Sequence, residues 1–353
     1  MRTMSNAHRF PYNRTLAEGY PAKGIEKHNK KVFGTFICGG GSSMGYKLAG
    51  YHHIGGVEID QKVADVYRVN HHPELLYVED LRIFNERTDL PDELYGIDLL
   101  DGSPPCSTFS IAGSREKAWG KKKKFAEGQA MQTLDDLVFV YCDTIIKLKP
   151  KVFILENVKG LTLGNAKSYL KRVIGKLTCG GYKCQVFVFN AASMGVPQRR
   201  ERTFVIGHRD DLDLPKLAFS FNERPILFKE IIDRGDVMNN LTSGEQEHFD
   251  NRRSCDRDMA DTRGRIDGGK AGFSRRWVHS GEVCPTITTN DMLIYDFPRK
   301  MNEKEIKLCS SFPIDYKVQS REKMLWLAGM SVPPVMTAQI SYQIYLQWLK
   351  GMN

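Results

Sequence analysis

From Lys31 to His208 the chain alternates short apolar runs with stretches of helical periodicity. Few folds accept this pattern. Strands separated by helices must lie parallel in one sheet, and the helices must cover both of its faces. The spacing predicts strands at 31–36 (KVFGTF), 53–60 (HIGGVEID), 95–103 (YGIDLLDGS) and 151–157 (KVFILEN), with further β-rich runs at 184–190 and 203–207. Helices are predicted from Ser42 toward Ala49, over 61–70, over 133–148 and around Leu170, Val173, Ile174 and Leu177, the last stopped by Gly180 and Gly181. The expected fold class is α/β, a doubly wound Rossmann-like domain with a smaller, irregular second domain.

The 353 residues are ample for one large domain plus a small one. The expected boundaries are an N-terminal arm at 1–30, the α/β domain, the catalytic domain if the chain is an enzyme, at 31–208, an Arg-rich irregular domain at 209–297, and a segment at 298–353 that returns to the first domain. That last segment contains Val332-Pro333-Pro334 and an apolar-striped helix over 340–349.

A net charge of +9 favours a polyanionic partner such as nucleic acid. The eight cysteines are scattered singly, with no C-x-x-C pair or His/Cys cluster, so no metal site is expected. No apolar run approaches membrane-spanning length, and the N-terminal residues lack the apolar stretch of a signal peptide. These features lead us to expect reduced thiols, no membrane contact and a cytoplasmic setting.

In doubly wound folds ligands sit at the carboxyl ends of the strands. Four short features fall at such ends. The first is FICGGGSSMG at 36–45, glycines before a helix N-terminus, where backbone can approach a ligand closely. The second is Glu58, suited to a ribose hydroxyl pair. The third is GSPPCSTFS at 102–110, whose two prolines stiffen a turn around Cys106. The fourth is Glu156-Asn157 at the end of an apolar run. Each has a plain alternative when it stands alone: a common turn, a solvated acid, a structural loop cysteine.

Taken in order, the features resemble the DNA cytosine-5 methyltransferase family: FICGGGSSMG, Glu58, Asp80, Pro104-Pro105-Cys106, Glu156-Asn157-Val158, and QRRER at 198–202. PTIT at 285–288, RKMNEKE at 299–305, FPIDY at 312–316 and GMSVPP at 329–334 complete the series. The resemblance implies methyl transfer from S-adenosyl-L-methionine, leaving S-adenosyl-L-homocysteine, to C5 of a flipped-out cytosine in duplex DNA. It implies Cys106 as nucleophile, Glu156 as the partner of the base N3, and Arg200 and Arg202 as the pair holding the base oxygen and the catalytic carboxylate. The implied cofactor residues are Phe36 against adenine, Gly39, Gly40 and Gly41 in the turn, Glu58 at the ribose, Asp80 at the adenine amino group, and Ile59, Leu81 and Pro104.

Family members close a mobile loop over DNA after the cysteine. Here that loop is 107–128, where Lys121, Lys122, Lys123 and Lys124 are candidate phosphate contacts; a solvated charge run is the alternative. Arg275 and Arg276, in the Arg-rich domain, are candidate DNA contacts. A cognate restriction endonuclease that does not bind stably, and a monomeric state, are the remaining partner expectations. Three positions depart from the family pattern: Cys38 for the usual first glycine, Ser107 for glutamine and Met330 for asparagine. Competing readings are an RNA cytosine-5 methyltransferase, a non-catalytic DNA-binding relative, and a dehydrogenase suggested by the glycine turn alone. The Arg-rich domain argues for duplex DNA, the intact Cys106, Glu156, Arg200 and Arg202 for catalysis, and the PPC and ENV elements against hydride chemistry.

Overall fold

A computed structural model describes residue 10 and residues 15–105, 136–164, 166–235, 240–268 and 275–352. Strands run β1 (Lys31–Thr35), β2 (His52–Glu58), β3 (Leu75–Val78), β4 (Leu99–Gly102), β5 (Val152–Val158), β6 (Tyr182–Asn190), β7 (Gln198–Arg199), β8 (Glu201–Arg209), β9 (Arg276–Val278), β10 (Cys284–Pro285) and β11 (Met292–Ile294). Helices are α1 (Gly41–Leu48), α2 (Gln61–His71), α3 (Leu81–Glu86), α4 (Leu137–Leu148), α5 (Ala166–Cys179), α6 (Ser243–Asp250), α7 (Met259–Asp267), α8 (Glu303–Cys309), α9 (Arg321–Met330) and α10 (Pro334–Ile344).

The chain divides into two compact units. One comprises Tyr20–Phe189, Glu201–Ser220 and Thr337–Asn353; the other comprises Met1–Gly19, Asn190–Arg200 and Phe221–Met336. Residues 298–336, expected to return to the catalytic domain, thus share a unit with the Arg-rich stretch.

Among the described residues the first unit holds a seven-stranded sheet in the order β3-β2-β1-β4-β5-β8-β6. β1 pairs in parallel with both β2 and β4, so the strand order reverses between β1 and β4. In open α/β sheets the crevice at such a switch point is where ligands bind. Here it is flanked by the glycine-rich turn after β1 and the Gly102–Pro105 turn after β4. The sheet is not wholly parallel as expected: β8 runs antiparallel to β5 and lies between β5 and β6. β8 follows β6 after only a short connection, too short for a helical crossover to a parallel strand. Apolar runs do not reveal strand direction, so the sequence could not show this.

Phe33, Leu100, Phe153 and Val205 from the sheet are fully buried against Phe84, Tyr141, Ile145, Val173 and Leu177 from α3, α4 and α5. Burial of each such side chain is worth about 1.5–3 kcal/mol. The Tyr141 hydroxyl shares its proton between the carbonyls of Leu100 and Ile154, so this buried group is satisfied inside the core. Gly102 is required at the close of β4: a Cβ there would lie 2.4 Å from the Tyr141 ring and 2.7 Å from the Thr35 hydroxyl. The predicted helix at 340–349 instead begins at Pro334, where proline is tolerated in a first turn, and passes into a π-helical turn at Tyr345–Leu349.

Among its described residues the second unit contains two short parallel pairs, β7 with β10 and β9 with β11. Trp277 is buried with Phe249 and Leu293 at the centre of a small core. No helix among the described residues is long and apolar enough to cross a membrane.

Candidate active site

The glycine-rich turn is shaped by backbone that few residues adopt cheaply. Phe36 and Cys38 both have left-handed φ angles, 54° and 47°. The family's usual glycine at the Cys38 position suits that geometry. Gly40, also left-handed at 78°, packs against His71 of α2, and a Cβ there would fall 2.1 Å from the His71 Nε2. Gly39, Gly40 and Gly41 are buried and bring no side chain to the start of α1, where close approach of a ligand needs none.

Glu58 closes β2 and is buried at 8% exposure. Its carboxylate accepts from the Cys38 backbone N–H at 2.9 Å and from that of Asp60 at 3.0 Å. Burial raises its pKa above the usual glutamate value, while these backbone donors favour the charged form. Asp60 instead caps α2, accepting from the backbone N–H groups of Lys62 and Val63. Asp80 caps α3 through the Arg82 N–H and also pairs with the Arg82 guanidinium at 3.0 Å. Leu81 and Pro104 are buried, and Phe36 and Ile59 are partly exposed. Phe36 also packs against the sheet core.

The turn after β4 is described as far as Pro105; Cys106 and Lys121–Lys124 lie outside the described residues, as does the whole of 107–128. Asn157 holds the start of this turn, donating from Nδ2 to the Pro104 carbonyl at 3.1 Å. In the sequence Asn157 is no more than the neighbour of Glu156. Strand alternation is the available signal, because it sends neighbouring side chains to opposite faces.

Glu156 is also 8% exposed. Arg202 Nε meets its Oε1 at 3.0 Å, both side chains being largely buried. The antiparallel register explains the meeting: Val158 on β5 faces Arg202 on β8, two residues from Glu156. Burial lowers the Arg202 pKa, and the Glu156 charge acts in the opposite direction.

Arg200 has other partners. It is 2% exposed and lies in the second unit. Its guanidinium donates to the carbonyls of Ile287, Gly329 and Ser331 at 3.0, 2.8 and 2.9 Å. Those carbonyls belong to the PTIT and GMSVPP segments. Gln198, fully buried, spans the same unit: its Nε2 donates to the Cys309 carbonyl and the Ser310 hydroxyl, and its Oε1 accepts from the Ile287 N–H. Of the expected arginine pair, then, Arg202 lies on the carboxylate and Arg200 fastens backbone. Met330, flanked by two of those held carbonyls, is 43% exposed.

Several arginines of the second unit have partners within it. Arg252 lies over the rings of Phe249 and Tyr295, Arg257 pairs with Asp261, Arg265 with Asp256, and Arg275 with Glu245. Arg276 is half-buried at the start of β9. Among the described residues no group of three or more His, Cys, Asp or Glu could hold a metal.

A family model described as C-5 cytosine-specific DNA methylase matches residues 31–346. The type II methyltransferase M.FnuDI of Fusobacterium nucleatum is 29% identical over 335 residues, 86% of this chain and 90% of its own. M1.HphI of Haemophilus parahaemolyticus is 26% identical over 327 residues, 87% of this chain and 84% of its own. M.Sau96I of Staphylococcus aureus is 33% identical over 211 residues, 59% of this chain; the chain spans only 45% of that relative. Among solved structures, a prophage-encoded DNA modification methyltransferase from E. coli has a TM-score of 0.67 at 18% identity, covering 90% of this chain and 99% of its own. Spodoptera frugiperda DNMT2 has a TM-score of 0.62 at 16% identity, covering 90% and 100%. These structural likenesses share the Rossmann-like α/β fold. With the family match across most of its length, the chain belongs to the C-5 cytosine-specific DNA methylase family.

Proposed function

We propose that this protein transfers a methyl group from S-adenosylmethionine to C5 of a flipped-out cytosine in a specific duplex DNA sequence, through a covalent Cys106–C6 intermediate. The observation that carries the reading is the buried Glu156–Arg202 pair at the end of β5, the strand beside the one leading into Pro104–Cys106. A largely buried carboxyl oriented by a guanidinium can present a proton or a hydrogen bond to a ring nitrogen.

The strand ends suit the cofactor chemically. A glycine turn without side chains could take its amino-acid end, and the carboxylates of Glu58 and Asp80 are acceptors for ribose hydroxyls and an adenine amino group. When bound, S-adenosylmethionine supplies an electrophilic methyl group and leaves as S-adenosylhomocysteine. The protein's part lies with the base. The Cys106 thiolate bonds to C6, pushing the C5–C6 electron pair toward C5. Glu156 serves N3, so that charge does not accumulate on the ring, and Arg202 holds Glu156 in place. After C5 is methylated, loss of its proton re-forms the double bond and expels the thiolate. A stacked base cannot present C6 to a thiol, hence the flipping.

Tritiated methyl transfer to mixed-sequence duplex DNA, with Cys106→Ser as control, tests the reading. Transfer to RNA and not to DNA would replace the substrate. Duplexes carrying 5-fluorocytosine cannot lose the C5 substituent, so a covalent adduct should accumulate on the native enzyme and be absent from Cys106→Ser on a denaturing gel. An adduct surviving in the serine variant would refute the nucleophile.

Lys121, Lys122, Lys123 and Lys124 are proposed to meet phosphates, and Arg275 and Arg276 to contact DNA, Arg275 exchanging Glu245 for the duplex. Replacing the four lysines by alanine should reduce the slope of log affinity against log salt by up to about 3–4. An unchanged slope would assign the run to solvent.

A further inference from the structure

Asp101 is the last side chain of β4 before Gly102 and the proline turn, and it is 3% exposed. A buried acid at this point has no part in the chemistry above. Its carboxylate receives the Tyr46 hydroxyl at 2.9 Å and a side-chain hydrogen bond from Ser42. Both donors sit on α1, the helix that opens from the glycine-rich turn. From the other neighbour of β4, the Thr35 hydroxyl of β1 donates to the Asp101 carbonyl at 3.1 Å. Asp101 is therefore held by both β1 and α1, on either side of the glycine turn, while its own strand ends one residue later at Gly102.

We propose that Asp101 is a positioning residue for methyl transfer: its carboxylate, accepting from the Ser42 and Tyr46 hydroxyls, ties the glycine-rich cofactor turn to β4, the strand that precedes the Pro104-Pro105-Cys106 motif in the chain. The proposal rests on the cofactor reading given above. An ionised carboxylate can accept from both hydroxyls at once. Once protonated, it must give up one acceptor site or find a new partner for its own O–H, and the tie slackens.

The surroundings set where that happens. Burial raises the carboxyl to about 7, against the Ser42 and Tyr46 hydrogen bonds, with the charge of Glu156 on β5 adding to the rise. Among the described residues, Tyr67 of α2 and Tyr141 of α4 also feel the Asp101 charge, and both are held neutral by burial. No cation faces it among these groups.

The test is S-adenosylhomocysteine binding by calorimetry between pH 5.5 and 8.5, on the full-length native protein, Asp101→Asn and Tyr46→Phe. Native affinity should rise with pH, with a midpoint near 7. Tyr46→Phe removes a donor to the charged form, so its midpoint should move upward. Asp101→Asn should bind several-fold more weakly at pH 8 and lose the midpoint near 7. A merely structural role would lower affinity without removing that midpoint. If Asp101→Asn keeps the native profile, or Tyr46→Phe leaves the midpoint in place, the proposal fails while the cofactor reading stands. If the native protein binds no S-adenosylhomocysteine at any pH, the cofactor reading fails and takes the proposal with it. Should Asp101→Asn not fold, the Tyr46→Phe shift alone decides.

Discussion

Replacing Glu156 by glutamine should lower kcat for methyl transfer by about two to four orders of magnitude, the range typical of a positioned acid–base group. The substitution is nearly isosteric. The amide oxygen can still accept from Arg202, so the contact between β5 and β8 survives and the fold should be retained. What the amide cannot do is hand a proton to N3 as the thiolate adds to C6. The loss falls on the transition state, so kcat and kcat/KM should drop together with KM for DNA little changed. Arg202→Ala is a useful contrast. It leaves a largely buried carboxyl without its guanidinium, which costs stability as well as rate. Single-turnover methylation, with thermal unfolding run in parallel, separates the two. A Glu156→Gln enzyme within about tenfold of the native rate would remove Glu156 from the acid–base role.

The positions that could be read ahead of the structure share a local cause. β1, β2, β4 and β5 are short apolar runs closed by a turn or an acid, and each candidate residue follows from its own run: Phe36 and Gly40 after β1, Glu58 at the end of β2, Glu156 near the end of β5. A strand end is defined within a few residues, so sequence suffices. QRRER is the opposite case. It reads as one motif, yet Gln198 and Arg200 belong to one compact unit and Arg202 to the other. The division depends on where the chain leaves one unit and enters the next, and no periodicity encodes that. Nor does spacing distinguish an arginine on a carboxylate from one on three carbonyls. β3 is a four-residue edge strand with only partly buried side chains, too weakly patterned to stand out. The Asn157 clasp and the Asp101 tie were hidden for a similar reason: both are contacts between segments some 50 residues apart.

Arg200→Ala should be the most destabilising of the single changes considered, by about 3–5 kcal/mol, because it strips donors from three carbonyls at once. The guanidinium is the common partner of Ile287 in the PTIT segment and of Gly329 and Ser331 in GMSVPP. Gly329 is itself tightly placed, since a Cβ there would come within 2.7 Å of the Thr288 backbone. Water could reach the vacated space and recover part of the loss, so the upper end of the range applies only if the site stays dry. Lysine should rescue little. One ammonium cannot reproduce the planar fork that serves Ile287 from Nη1 and both Gly329 and Ser331 from Nη2. Hydrogen exchange gives the decisive reading. In Arg200→Ala, protection should fall first across 286–289 and 327–332, while the N–H groups of β4 and β5, in the other unit, keep theirs. Uniform loss of protection would mean that Arg200 supports the whole molecule. Unchanged protection with a native unfolding midpoint would mean that the three carbonyls do not need it, and would return Arg200 to the base-binding role that its motif suggested.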